Sequence, residues 1–176
     1  MKAITPLLAA LLLAGCHSFG TSDSASDTRR ATADLEAKSG SNVKGTAKFT
    51  QRDGKINIAV NASGLQPNAE HAIHIHEKGD CSAEDATSAG PHFNPESQPH
   101  GHPKETKRHA GDLPNLRADS QGRVKTSFEV TGITLDKDFR GVLNRALVIH
   151  AKADDYKSQP AGDAGGRIAC GVIKES

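Results

Sequence analysis

The chain has 176 residues, a length that suits one domain. Its 22 basic and 21 acidic residues give a net charge of +1, and nothing in that balance suggests the basic stripe of a nucleic-acid binder. With one Tyr, no Trp and five Phe, the core has to be mainly Val, Ile, Leu and Ala.

Residues 1–15 are predicted to be a signal peptide. Lys2 gives a positive start, and the apolar run that follows is shorter than the ~20 residues that span a bilayer. The run ends in Leu-Ala-Gly-Cys, which resembles a bacterial lipoprotein cleavage box and implies a lipid on Cys16. We therefore expect export to the cell envelope or periplasm, with a lipid anchor in a bacterial membrane. The alternative is an ordinary signal peptide with an incidental Cys.

A flexible tether is predicted at residues 16–31, because this segment lacks apolar periodicity and is rich in Ser, Thr, Asp and Ala. The folded domain is then expected to span residues 32–176. This part of the chain contains several short alternating runs.

These runs predict β-strands. Asp53-Gly54, a dipeptide typical of hairpins, joins the first run to the second, and a turn at residues 120–122 precedes the third. Since helical periodicity is lacking, we predict an all-β antiparallel sandwich or barrel. The apolar positions of equal parity are Val43, Ala47 and Phe49; Ile56, Ile58 and Val60; and Val124, Phe128 and Val130.

Two long segments, residues 77–112 and 151–167, are rich in Gly, Pro, Asp and Ser. Loops of this length in a compact domain are usually functional or disordered. Because these two contain or flank nearly every candidate ligand, we interpret them as functional.

The cysteine count is odd, at three. If Cys16 carries lipid, Cys81 and Cys170 remain, and an exported protein can keep that pair as a disulfide. Two free buried thiols are the alternative.

Six histidines and one aspartate form a candidate metal site. Imidazole nitrogen suits copper and zinc, and a carboxylate adds charge. Seven ligands are too many for one tetrahedral ion, but they suffice for two ions that share a ligand. They are His74, His76, His92, His100, His109, Asp112 and His150.

Strand parity predicts where this site lies. His74 and His76 are two residues apart, so on a strand they point to one face while the isoleucines between and before them point to the other. His150 alternates in the same way with Leu147 and Ile149. If the aliphatic faces form the core, the site lies outside the barrel, under a covering loop.

Five segments, in this order, resemble copper/zinc superoxide dismutases over about residues 32–174. They are H-I-H-E-K-G-D, S-A-G-P-H-F-N-P, R-H-A-G-D-L-P-N, L-V-I-H-A-K-A-D-D and G-G-R-I-A-C-G-V-I. The bacterial exported branch is the most similar, because Cys81 directly follows Gly-Asp. The resemblance implies an eight-stranded antiparallel Greek-key β-barrel, an immunoglobulin-like sandwich, with two long functional loops.

The resemblance also implies one copper and one zinc per subunit, bridged by His92. A set of three His and one Asp closes a tetrahedral zinc site, whereas four His leave an open face on copper. The implied copper ligands are His74, His76, His92 and His150, and the implied zinc ligands are His92, His100, His109 and Asp112.

Two further residues acquire roles by the same resemblance. Asp154 would accept hydrogen bonds from the non-ligating nitrogens of His74 and His100. Arg167 would guide a small anion to the copper, since its charge is permanent.

The implied activity is the disproportionation of superoxide to dioxygen and hydrogen peroxide by Cu(II)/Cu(I) cycling, as an antioxidant defence in the cell envelope. His92 is the implied proton donor. A metal store or chaperone on the same barrel is the main alternative, and a zinc hydrolase is disfavoured because the zinc set leaves no position for water.

Several residues stay outside the site. We expect His17, His71, His102 and Asp155 to be solvated or incidental, and the same is the ordinary interpretation of Lys157, although it could add positive potential. The sequence leaves a monomer and a homodimer both open.

Overall fold

The computed structural model describes residue 1 and residues 28–176. The predicted signal peptide, the lipidation of Cys16 and most of the tether lie outside the described residues. Within the described part of the chain, no helix has the length and apolar character needed to cross a membrane.

The described chain is built from β-strands, and its single helical element is a 3₁₀ turn at Thr87–Ala89. The strands are β1 Arg29–Ala37, β2 Lys44–Arg52, β3 Lys55–Ser63, β4 Glu70–His71, β5 Ile73–His76, β6 Leu116–Arg117, β7 Val124–Val130, β8 Ala146–His150, β9 Arg167–Val172 and β10 Lys174–Glu175.

Eight strands form one sheet in the order β5-β8-β9-β1-β2-β3-β7, with β10 beside β1. Strands β4 and β6 pair separately, and every strand pairing is antiparallel. The neighbours β9 and β1 are far apart in sequence, which is the long return connection of a Greek key. The predicted all-β antiparallel class is confirmed.

The first strand begins three residues before residue 32, where the sequence analysis places the start of the domain. Strand β1 already begins at Arg29, which pairs with Gln51 of β2, and its guanidinium donates to Asp136 and Glu175. The apolar face of β1 contains Ala31 and Ala33, and alanines give a weak periodic signal.

The first predicted hairpin is confirmed. Asp53 and Gly54 both have positive φ, at 51° and 74°, as a two-residue type I′ turn requires. This turn sets the register of β2 on β3, so that Phe49 and Ile58 pair and are both buried in the core.

The strands that carry the candidate ligands have two apolar faces. Ile73, Ile75, Leu147 and Ile149 belong to the main core. The opposite face of β8 packs against Cys170, Ala86 and Ala89, and these residues form a second apolar cluster outside the main core. The predicted position of the histidines outside the barrel is therefore confirmed.

Two loops cover this outer face, as predicted. The first loop is residues 77–115, between β5 and β6, and the second loop is residues 151–166, between β8 and β9. A β-bulge lies where β8 and β9 meet the second loop. Ile149 of β8 pairs with Ala169 of β9, but His150 pairs with Arg167, so Ile168 is the extra residue in β9. Bulges re-aim side chains, and this one brings His150 and Arg167 opposite each other.

Candidate metal centre

The seven predicted ligands come together in two buried groups that share His92. Within each group the ligand atoms lie within 4.8 Å of one another. The first group is His74, His76, His92 and His150, and the second group is His92, His100, His109 and Asp112.

Main-chain bridges place the first loop beside β5. His74 bridges to Asp112 and His76 bridges to His92, each in antiparallel fashion. Between them, the carbonyl of Ile75 accepts a hydrogen bond from the backbone N–H of Phe93 at 2.8 Å. Ligands that are distant in sequence are thereby aligned by backbone pairing.

The tautomers of the first group leave lone pairs that face each other. His76 Nδ1 donates to the carbonyl of Gly90 at 2.8 Å, and His150 Nδ1 lies 3.3 Å from the carbonyl of Gly165. Both Nε2 atoms are then acceptors, and they are only 3.3 Å apart. Two lone pairs at this distance repel unless a cation lies between them.

Two buried nitrogens complete the first group. His74 Nδ1 and His92 Nε2 have no hydrogen-bond partner among the described residues. His74 Nε2 donates to Asp154 at 2.7 Å, which leaves Nδ1 as the free acceptor. Four lone-pair nitrogens around one point fit a metal ion.

Burial keeps His76, His92 and His150 neutral. Desolvation is the main cause that lowers the pKa of His92 to about 4 and that of His150 to about 3, and neighbouring imidazoles act in the same direction. The same cause holds the pKa of His76 well below its usual value. Neutral imidazole is the form that binds metal.

The second group converges on one carboxylate oxygen. Asp112 Oδ1 lies 3.0 Å from Nδ1 of both His92 and His100, and 3.3 Å from Nδ1 of His109. The other oxygen accepts backbone N–H groups of Gly101 and His109. Burial opposes ionisation of Asp112, but the hydrogen bonds of the three histidines hold its pKa far below the usual range.

Asp154 joins the two groups. Its carboxylate accepts from His74 Nε2 at 2.7 Å and from His100 Nε2 at 2.9 Å. Burial disfavours charge on His100, yet hydrogen bonds to Asp112 and Asp154 raise its pKa to about 9. The site therefore favours a positive charge at His100 Nδ1, which a proton or a metal ion can provide.

Arg167 lies at the wall of a cavity of about 1040 Å³, which is also lined by His76, His92 and His150. Its guanidinium donates to the carbonyls of Ala86 and Gly90 at 2.7 and 2.8 Å. The charge is thus fixed beside the first group by two main-chain carbonyls of the first loop.

The predicted disulfide between Cys81 and Cys170 is confirmed. It attaches the first loop to β9, three residues from Arg167. The bonded residues are 89 apart in sequence, so the chain-entropy model gives a stabilisation of roughly 3–5 kcal/mol.

His71 lies outside both groups, but it is buried rather than solvated. It is 2% exposed, and its Nδ1 donates to the main-chain carbonyl of His150 at 2.9 Å. The sequence feature that could have indicated this burial is the position of His71 beside Ala72, at the start of the H-A-I-H-I-H segment. His102 belongs to neither group, and its ring packs against Tyr156. Asp155 is exposed and accepts backbone N–H groups of its own turn. Lys157 is exposed as well.

Asn115 is a site residue that sequence reasoning missed. Its amide brackets the main chain of Asp154, donating to the carbonyl and accepting from the N–H, each at 2.9 Å. Asn115 closes the R-H-A-G-D-L-P-N segment, but nothing in its local sequence predicts a partner 39 residues away.

Comparisons with known proteins agree with this geometry. The family described as copper/zinc superoxide dismutase (SODC) matches residues 43–173. Superoxide dismutase [Cu-Zn] 2 of Aquifex aeolicus is 42% identical, over 99% of this chain and 100% of the relative. Superoxide dismutase [Cu-Zn] of Paramecium bursaria Chlorella virus 1 is 43% identical, over 74% of this chain and 72% of the relative.

Solved structures show the same fold. A double mutant of a superoxide-dismutase-like protein from Bacillus subtilis is 36% identical, covers 81% of this chain and 96% of its own, and has a TM-score of 0.74. The clock protein EA4 is 41% identical, over 82% of this chain and 93% of its own, with a TM-score of 0.75. The chain therefore belongs to the copper/zinc superoxide dismutase family, an oxidoreductase family with copper and zinc cofactors.

Proposed function

We propose that the chain dismutates superoxide with copper in the first group and zinc in the second group. The observation that carries this assignment is the position of His92. Its buried Nε2 faces the first group, whereas its Nδ1 lies 3.0 Å from Asp112 in the second. One imidazole ring can therefore serve both ions.

The donor sets distinguish the two ions. Four imidazole nitrogens beside an open cavity suit copper with a free approach for a small oxygen species. Three imidazoles and one carboxylate close a tetrahedron around zinc. The assignment of copper to the cavity side and zinc to the enclosed side follows from this difference.

Bound copper would supply a one-electron couple, which takes an electron from one superoxide and gives it to a second. Two superoxide ions and two protons then yield one dioxygen and one hydrogen peroxide. The residues of the chain orient the reaction: Asp154 fixes the rings of His74 and His100, and Arg167 places a positive charge at the cavity wall. His92 Nε2 is the atom of the chain positioned to hold a proton there.

Metal analysis combined with a dismutation assay tests this function. We expect one copper and one zinc per chain, with activity that is lost when copper is removed and restored when copper is returned. Bound metal without turnover would contradict the proposal and would support a metal store.

We also propose that the protein is exported and held in the cell envelope by a lipid on Cys16. The Leu-Ala-Gly-Cys segment after an apolar run supports this proposal. The full chain is expected to fractionate with membranes and to incorporate labelled fatty acid, and the Cys16→Ser variant to lose both properties. Membrane association that persists in Cys16→Ser would refute an anchor at this residue.

A further inference from the structure

The side chain of Gln159, in the second loop, holds the main chain of a residue in the first loop. Its Oε1 accepts the N–H of His100 at 2.8 Å, and its Nε2 donates to the carbonyl of His100 at 2.9 Å. One amide thus satisfies both main-chain polar groups of one residue, in the manner of a strand pairing.

The second loop also holds the ring of His100. Asp154 Oδ1 accepts from His100 Nε2 at 2.9 Å, so the remaining ring nitrogen, Nδ1, is aimed at Asp112. The side chain of His100 is fully buried in this position. His100 can leave the second group only if it separates from both Gln159 and Asp154.

The turn that carries Gln159 packs directly on this contact. A Cβ at Gly162 would lie 1.8 Å from Asp154 Oδ1 and 2.8 Å from His100 Nε2, and Gly162 has φ +69°. The turn is closed by Asp155, which accepts the N–H groups of Lys157 and Ser158, and by the N–H of Gly162, which donates to the carbonyl of Ser158. Gln159 therefore extends from an internally bonded turn.

We propose that Gln159 is a positioning residue that holds His100 in the second group and slows the loss of zinc. This inference rests on the proposed assignment of His100 to zinc. Partners beyond the ligands orient metal-binding side chains, and their loss typically weakens metal affinity by ~10–100-fold. Gln159 acts on the main chain of the ligand, while Asp154 acts on its ring.

The test is zinc release from the fully metal-loaded protein to a chromogenic chelator. The Gln159→Glu variant keeps an acceptor for the N–H of His100 but places a carboxylate oxygen against its carbonyl. We expect zinc to leave at least ~10-fold faster, with copper release unchanged. The matched control is Gln121→Glu, the same change in the exposed turn before β7, which should release zinc at the wild-type rate.

Two results would overturn the role of Gln159. One is zinc release from Gln159→Glu at the wild-type rate, even if the Tm of the metal-free protein falls, because that combination indicates a structural role alone. The other is equal acceleration of copper and zinc release, which indicates general loosening. A His100→Ala variant that retains zinc as tightly as the wild type would instead refute the assignment of His100, and the inference with it.

Discussion

The His150→Ala variant is expected to lose dismutation while it keeps zinc. His150 belongs to the first group alone, and its Nε2 lies 3.3 Å from that of His76. Removing it takes away one of four nitrogens and opens the buried site to water. We expect activity to fall by more than the ~10–100-fold typical of losing a partner beyond the ligands. Metal analysis and a dismutation assay on the same preparation measure both effects.

His102→Ala is the matched control for this variant. It makes the same chemical change in the first loop, at a half-buried histidine that belongs to neither metal group. Full activity and both metals are expected in this control. Wild-type activity in His150→Ala would show that copper is not bound by the first group as assigned.

The Arg167→Ala variant is expected to lower the rate at low ionic strength by ~10–100-fold while both metals remain bound. The reaction requires little bond making, so encounter with an anion limits its rate, and Arg167 supplies a permanent positive charge at the cavity wall. The difference from wild type should shrink as salt is added, because added ions screen the charge. Rates measured across a series of salt concentrations test this.

Arg52→Ala provides the control, since it removes the same charge from the exposed end of the β2–β3 hairpin. Its rate should equal that of the wild type at every salt concentration. The Arg167→Lys variant separates charge from geometry: it keeps the charge but cannot donate to the carbonyls of Ala86 and Gly90 in the same forked manner. An unchanged rate for Arg167→Ala at low salt would rule out steering by this residue.

The sequence predicted the elements whose signal is local. The Asp53-Gly54 turn and the core-facing position of Ile73 and Ile75 each depend on neighbours in the chain, and the structure confirms both. The ligand segments were recognisable because several metal-binding residues occur in a fixed order. That order resembles the copper/zinc superoxide dismutases, and the resemblance implied two groups that share His92.

The features that were missed depend on contacts between distant segments. Three such features join residues that are far apart in sequence. They are the bulge at Ile168, the hydrogen bonds from Gln159 to the main chain of His100, and the hydrogen bond from His71 to the carbonyl of His150. The early start of β1 was missed for a different reason, since its buried face is largely alanine. Local periodicity does not predict contacts between distant segments, and it is weak where the buried residues are alanines.

The pairing of the first loop with β5 has a consequence for solubility. Strand β5 is at one end of the main sheet, and its outer edge would otherwise present unpaired N–H and C=O groups to other chains. The main chain of Gly111 and Phe93 occupies that edge at Ile75. The segment that supplies metal ligands therefore also shields the sheet from intermolecular strand addition, so the geometry of the metal site and the protection against aggregation depend on the same backbone hydrogen bonds.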